Sequence, residues 1–172
     1  MLDLHFVAPD LRRLDEVGAE IIVACLWTDV RPLQGLSALL DWRLSGCLSK
    51  LLRQGFVVGE VGEVLIVPAR PKLPFDKLLL FGLGPRTGFG DGTFRRVIER
   101  MLDALAGLSV KKAVVELPGR DNQLFEPERA AEILLDVARD DAHDAFVLVE
   151  EIDGQRRIET RVGEQRRNAP RR

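Results

Sequence analysis

The sequence predicts an α/β fold: a three-layer sandwich with a mixed, mostly parallel sheet and helices on both faces. Three observations predict it. Continuous apolar runs of strand length occur at 20–27 (EIIVACLW), 77–83 (KLLLFGL) and 145–150 (AFVLVE), which suits strands covered on both sides. Between such runs the apolar residues recur every three or four positions, the mark of helices with one buried stripe. The two signals alternate along the chain, and that order builds a sheet between two helical layers.

Taken in order, residues 2–8 (LDLHFVA) alternate apolar and polar and read as a half-buried strand ended by Pro9. The buried strand 20–27 follows. Residues 37–54 place Leu40, Leu44, Cys47, Leu48, Leu51 and Leu52 on one face, with Leu36 just ahead of them. They read as a single helix, capped by Ser37 and ended by Gly55. Residues 57–68 read as two extended pieces joined at Gly62, and 77–83 as a buried strand. A helix from Asp91 to Ala106 has Phe94, Val97, Ile98, Met101, Leu102 and Leu105 as its stripe. Residues 112–117 form a strand. Glu126 and Pro127 then open a helix with Ala130, Ala131, Leu134, Val137 and Ala138 inward, Pro being suited to the first turn. The strand 145–150 completes a domain over 1–153, and residues 154–172 are an Arg-rich extension. In it, 156–162 could add an edge strand, and 163–172 read as a frayed tail.

Nearly half of the 172 residues are apolar, enough for a substantial core and against disorder. The net charge of -2 implies no general polyanion partner, although 156–172 holds seven Arg and two Glu. Cys25 and Cys47 lie in apolar contexts and read as buried hydrophobes rather than a disulfide. No basic segment leads into an apolar stretch at the start, and no run approaches a membrane span, so a cytoplasmic location is expected.

The stretch from Leu40 to Pro85 reads LDWRLSGCLSKLLRQGFVVGEVGEVLIVPARPKLPFDKLLLFGLGP. A helix with a small-residue pair ends before Gly-Phe. A Gly-Glu turn, an apolar strand and a second strand ending in Gly-Leu-Gly follow. This resembles the N-terminal domain of the leucine aminopeptidase family, a macro-domain-like α/β sandwich, and the likeness extends over roughly residues 1–150. The resemblance implies that catalysis belongs to a separate C-terminal domain. That domain holds two divalent metals through a lysine, aspartates and a glutamate, around the string Asn-Thr-Asp-Ala-Glu-Gly-Arg. The string does not occur in this sequence, so no catalytic or metal-binding residue carries over. The resemblance also implies packing against a catalytic partner and within a hexamer.

Read from the residues, few constellations carry chemistry. The loop GLGPRTGFGDG (82–92) leads into a helix, and its backbone amides, with Gly84, Arg86, Gly88, Gly90 and Thr93, could cradle a phosphate of a nucleotide or ADP-ribose. Its spacing matches neither nucleotide fingerprint, and Asp91 would repel an anion. A turn that needs positive φ is the preferred reading. His143, among Asp140, Asp141 and Asp144, could help gather a cation, but a solvated connection is preferred; His5 lies on the polar phase of its strand. Cys47, Ser45 and Ser49 lack the setting of a nucleophile. Glu60, Glu63 and Glu116 are expected at a solvated surface. The Arg-rich end (Arg156, Arg157, Arg161, Arg166, Arg167) could meet nucleic acid but lacks interleaved aromatics, and a solubilising terminus is preferred. Trp27 and Trp42 fit either the core or an interface.

The expectation is therefore a non-catalytic domain without cofactor or metal, acting through a protein partner or as a homo-oligomer. The alternatives are a nucleotide-binding module using Gly82–Gly92 and an accessory chain of a separate metallo-aminopeptidase.

Overall fold

The computed structural model describes residues 2–138 and 142–168. Six strands form one sheet in the order β1-β6-β5-β2-β4-β3. They are β1 (Asp3–Val7), β2 (Ile21–Trp27), β3 (Val64–Pro68), β4 (Lys77–Gly84), β5 (Lys112–Val115) and β6 (Ala145–Val149). Every pairing is parallel except β3 against β4. The helices are α1 (Leu11–Asp15), α2 (Gly35–Arg43), α3 (Cys47–Arg53), α4 (Asp91–Gly107), α5 (Pro127–Val137) and α6 (Ile152–Asn168).

The alternation of side chains along each strand divides the core into two layers. In β2, Ile21, Val23, Cys25 and Trp27 join the layer beneath α4, α5 and Ile158 of α6. Ile22, Ala24 and Leu26 join the layer beneath α1, α2 and α3. The strand is buried throughout because both layers are filled. The α4 stripe is the one its periodicity predicts, Phe94 to Leu105, all buried.

Several expectations are corrected. The helix expected over 37–54 is two helices. Ser45 (φ 58°) and Gly46 (φ 77°) take left-handed conformations that interrupt it. The interruption is stabilised by Asp41, whose carboxylate accepts the N–H of Leu48 at 2.8 Å and of Ser49 at 3.1 Å, capping α3 from the preceding helix. Ser37 is not the cap of α2. That helix starts at Gly35, and the Ser37 hydroxyl donates to the Gln34 carbonyl at 2.9 Å. Gly55 does end α3, with φ 69° and amides of Gly55 and Phe56 returning to Leu52 and Leu51. Cys47 opens α3 half-buried rather than lying on its buried stripe. Of the two extended pieces at 57–68 only the second is a strand. The first is a loop whose Val58 and Gly59 amides donate to Glu63. The short helix α1, capped by Asp10, is an element the periodicity did not reveal.

The edge strand expected at 156–162 is instead part of α6, which also takes in the expected tail up to Asn168. Alternation in RRIETRV fits a strand locally. On α5, however, Glu128 and Glu132 meet Arg157 and Arg161 at 2.6 Å each, one helical turn apart. Ile158, fully buried between those turns, anchors the helix. Residues 169–172 of the expected tail lie outside the described residues.

Candidate functional site

The parallel strands β1, β5 and β6 point their carboxyl ends at a common edge, where open α/β sheets place their ligand crevices. A cleft of about 370 Å³ lies there. Glu116 follows β5, Glu150 and Glu151 follow β6, Arg120, Asp121 and Glu126 come from the β5–α5 connection, and Asp153 and Arg157 from the start of α6.

Glu116 is buried, contrary to the surface expected for it. Its amide donates to the Val23 carbonyl at 3.0 Å, which continues the β2–β5 ladder past the strand end and turns the side chain inward. Its Oε2 accepts the Cys25 N–H at 3.0 Å. Burial, reinforced by the nearby Asp121 carboxylate, pushes the Glu116 carboxyl up to about 8. The Cys25 thiol is raised as well, by burial and then by Glu116. Burial also raises Asp121, against the Trp27 indole N–H that donates to its Oδ1 at 3.4 Å. Glu150, buried too, is held by a two-pronged bond from Arg120 at 2.7 and 2.8 Å. Two glycines admit the chain here. A Cβ on Gly35 would lie 2.6 Å from that of Asp121, and one on Gly154 would lie 2.4 Å from Oε1 of Glu150.

The glycine-rich loop contributes nothing to the lining of this cleft. Gly82 is a packing site, since a Cβ would lie 1.9 Å from the Glu60 carbonyl oxygen. Gly84 has φ 75° and exchanges backbone bonds with Thr28 and Gly59. Arg86 donates its amide to Asp29 at 3.2 Å and faces the same carboxylate with its guanidinium at 3.6 Å. Gly88 is exposed, Gly90 precedes α4 and Thr93 is half-buried in its first turn. Asp91 pairs with Arg129. Phe89 packs edge-on to Trp27 with ring centres 4.8 Å apart, and to Phe125 at 5.9 Å.

The remaining candidates are dispersed. His5 is exposed in β1. His143 is buried, not solvated, at the opposite end of β6 from the cleft. Its Nδ1 donates to the Val110 carbonyl at 2.8 Å. Asp140 and Asp141 lie outside the described residues. Among the described residues no group of three or more His, Cys, Asp and Glu is placed to hold a metal ion. Ser45 pairs with Lys72, and Ser49 with Asp41. Glu63 closes its own loop, and Glu60 lies in the turn packed on Gly82. Trp27 is in the core, whereas Trp42 is 75% exposed. What sequence reasoning missed at the cleft was Arg120, Asp121 and Glu150. The available signal was their place just beyond strands β5 and β6, which parallel topology turns into a shared site.

The model of the cytosol aminopeptidase family, N-terminal domain, matches residues 22–143. A probable cytosol aminopeptidase of Pseudomonas fluorescens (strain SBW25) is 34% identical over 88 residues, which is 48% of this chain and 18% of that protein. The chain thus spans under a quarter of that relative's length. Among solved structures, a tomato leucine aminopeptidase mutant superposes with a TM-score of 0.62 at 13% identity, covering 99% of this chain and 39% of that one. A Trypanosoma brucei macrodomain in complex with ADP-ribose gives 0.69 at 19% identity, covering 93% and 68%. These two likenesses show the fold, a macro-domain-like sandwich.

Proposed function

Because the chain belongs to the cytosol aminopeptidase family through its N-terminal domain, we propose that it serves as a non-catalytic contact domain that associates with further copies of itself. The matched segment is the N-terminal one, and the sequence lacks the family's metal-binding string. The observation that carries the reading is the outer surface of α2 and α3. Trp42 is 75% exposed, and Phe56, just past α3, is 68% exposed. Aromatic side chains of this size are costly to leave in water and are enriched where protein surfaces meet. A cytoplasmic setting fits this reading: no helix among the described residues is long and apolar enough to cross a membrane, and the relatives are cytosol aminopeptidases.

Light scattering at low and high protein concentration tests the proposal. Association that Trp42→Ser and Phe56→Ser abolish is the expected result. A monomer at every concentration removes self-association, and mixing with a separate metallo-aminopeptidase chain then tests the accessory role.

A second reading, ADP-ribose binding, draws on the fold shared with the macrodomain complex. Charge weighs against it: the cleft is lined by six carboxyl groups, of which burial holds Glu116 neutral, and two guanidiniums, a balance unfavourable for a diphosphate. In the Gly82–Gly92 loop, Arg86 is engaged by Asp29. Calorimetry with ADP-ribose on the native chain and on Gly84→Val separates this reading from the first. Nucleic-acid binding by the Arg-rich end is weakened in the same way, because Arg157 and Arg161 are committed to α5, leaving Arg156, Arg166 and Arg167 among the described residues.

A further inference from the structure

We propose that the chain pairs with a second copy of itself edge to edge, strand β3 lying antiparallel to β3 of the copy across a two-fold axis near Ile66. The pairing rests on the contact role above and specifies the surface that performs it.

Strand β3 ends the sheet, so one side of it has no strand neighbour. The ladder fixes which groups face that side. Gly82 lies opposite Glu63, and its amide donates to the Glu63 carbonyl at 2.9 Å. Bonded pairs alternate along an antiparallel ladder. Leu65 and Val67 therefore bond to β4, while Val64 and Ile66 turn their N–H and C=O groups outward. Pro68 falls on the outward phase too, where its missing N–H costs the ladder with β4 nothing. Among the described residues no group bonds the outward amides of Val64 and Ile66. Sheet edges are commonly blunted by charge or cover. The opposite edge, β1, carries Asp3 and His5, and its Leu4 and Phe6 share a groove with Ile158 and Val162 of α6. By contrast β3 reads VLIVP without a charge, and Ile66 is 49% exposed.

The flanks of β3 indicate what covers it. Glu60 and Lys72 lie equally far before and after Ile66. Both are exposed, and neither belongs to an ion pair among the described residues; Lys72 donates to the Ser45 hydroxyl at 2.7 Å. An antiparallel copy brings the acidic flank of each chain to the basic flank of the other, whereas a parallel strand would set like against like. The exposed aromatics follow the same polarity. Arg43 donates to the Lys72 carbonyl at 3.4 Å, which places the end of α2, with Trp42, beside the connection after β3. Phe56 lies in the loop before β3, where the Val58 N–H donates to Glu63 at 3.1 Å. The two-fold axis carries the Phe56 end of one chain toward the Trp42 end of the other. Hydrogen-bonding groups, charges and apolar surface are thus self-complementary about one axis, as an isologous interface requires.

Sedimentation equilibrium and amide hydrogen exchange on the full chain test the proposal. The expected result is a dimer whose Val64 and Ile66 amides exchange at least about tenfold more slowly than in the dilute monomer. Ile66→Pro removes an outward N–H only and should give a folded monomer. Glu60→Lys and Lys72→Glu should each weaken the dimer about tenfold, and the double variant should restore it. These exposed positions leave the fold intact, so they decide the matter even if Ile66→Pro unfolds. A native chain that stays monomeric overturns edge pairing together with the contact role. A dimer that Trp42→Ser and Phe56→Ser abolish, but whose Ile66 amide exchanges as fast as in the monomer, overturns edge pairing alone. So does a dimer that Ile66→Pro retains, or one that the double charge variant fails to restore.

Discussion

Glu116→Gln offers a quantitative test of the cleft, read as stability. In the unfolded chain this carboxyl titrates at its ordinary value of 4.5, and in the fold at about 8. A raised carboxyl stabilises the fold fully only below the unfolded value. As pH rises from 4.5 toward 8 the unfolded chain releases its proton while the fold retains it, and stability is lost; above 8 the loss levels off. Three and a half pH units at about 1.4 kcal/mol each give a plateau loss of about 5 kcal/mol, of which about 3 kcal/mol has accrued by pH 7. Gln keeps a carbonyl oxygen for the Cys25 N–H but has no charge to desolvate. Relative to the native chain, Glu116→Gln should then gain under about 1 kcal/mol near pH 5, about 3 near pH 7 and about 5 near pH 9. Urea unfolding of both chains across that range measures the difference. A stability difference that stays flat with pH would falsify the reasoning, because it would mean that Glu116 titrates alike in both states.

Two further perturbations follow from the same geometry. Arg120→Ala leaves the buried Glu150 carboxylate without its counter-ion and should cost about 3–5 kcal/mol in thermal or denaturant unfolding, far more than loss of an exposed pair. Asp41→Ala strips the acceptor from two amides of α3 and from the Ser49 hydroxyl and should cost about 2–3 kcal/mol, with hydrogen exchange at Leu48 and Ser49 rising ahead of that in β2.

How far the sequence revealed the fold depends on the range of the forces at each element. The α4 stripe and the buried run of β2 are legible because a helix or strand with both its apolar faces covered repeats its period in the chain itself. The break between α2 and α3 was hidden. Leucine spacing continues across it, and the deciding feature is one carboxylate, Asp41, reaching seven residues ahead. The C-terminal segment was misread for a related reason. RRIETRV has the alternation of a strand, and its helix is favoured by partners on α5 about thirty residues earlier. Glu116 was visible as an acidic residue, but nothing local distinguishes it from Glu60 or Glu63.

By itself, then, the chain determined its six strands, helices α4 and α5 and its family, since these rest on periodicity and on turn residues that act over a few positions. Tertiary structure alone decided the cleft. Parallel pairing of β5 with β6 brings Glu116 and Glu150 to one edge, and the closing of the core around Glu116 removes the water that would otherwise make it an ordinary carboxylate. Burial and charge proximity are properties of where distant segments meet, and no spacing within one segment encodes them.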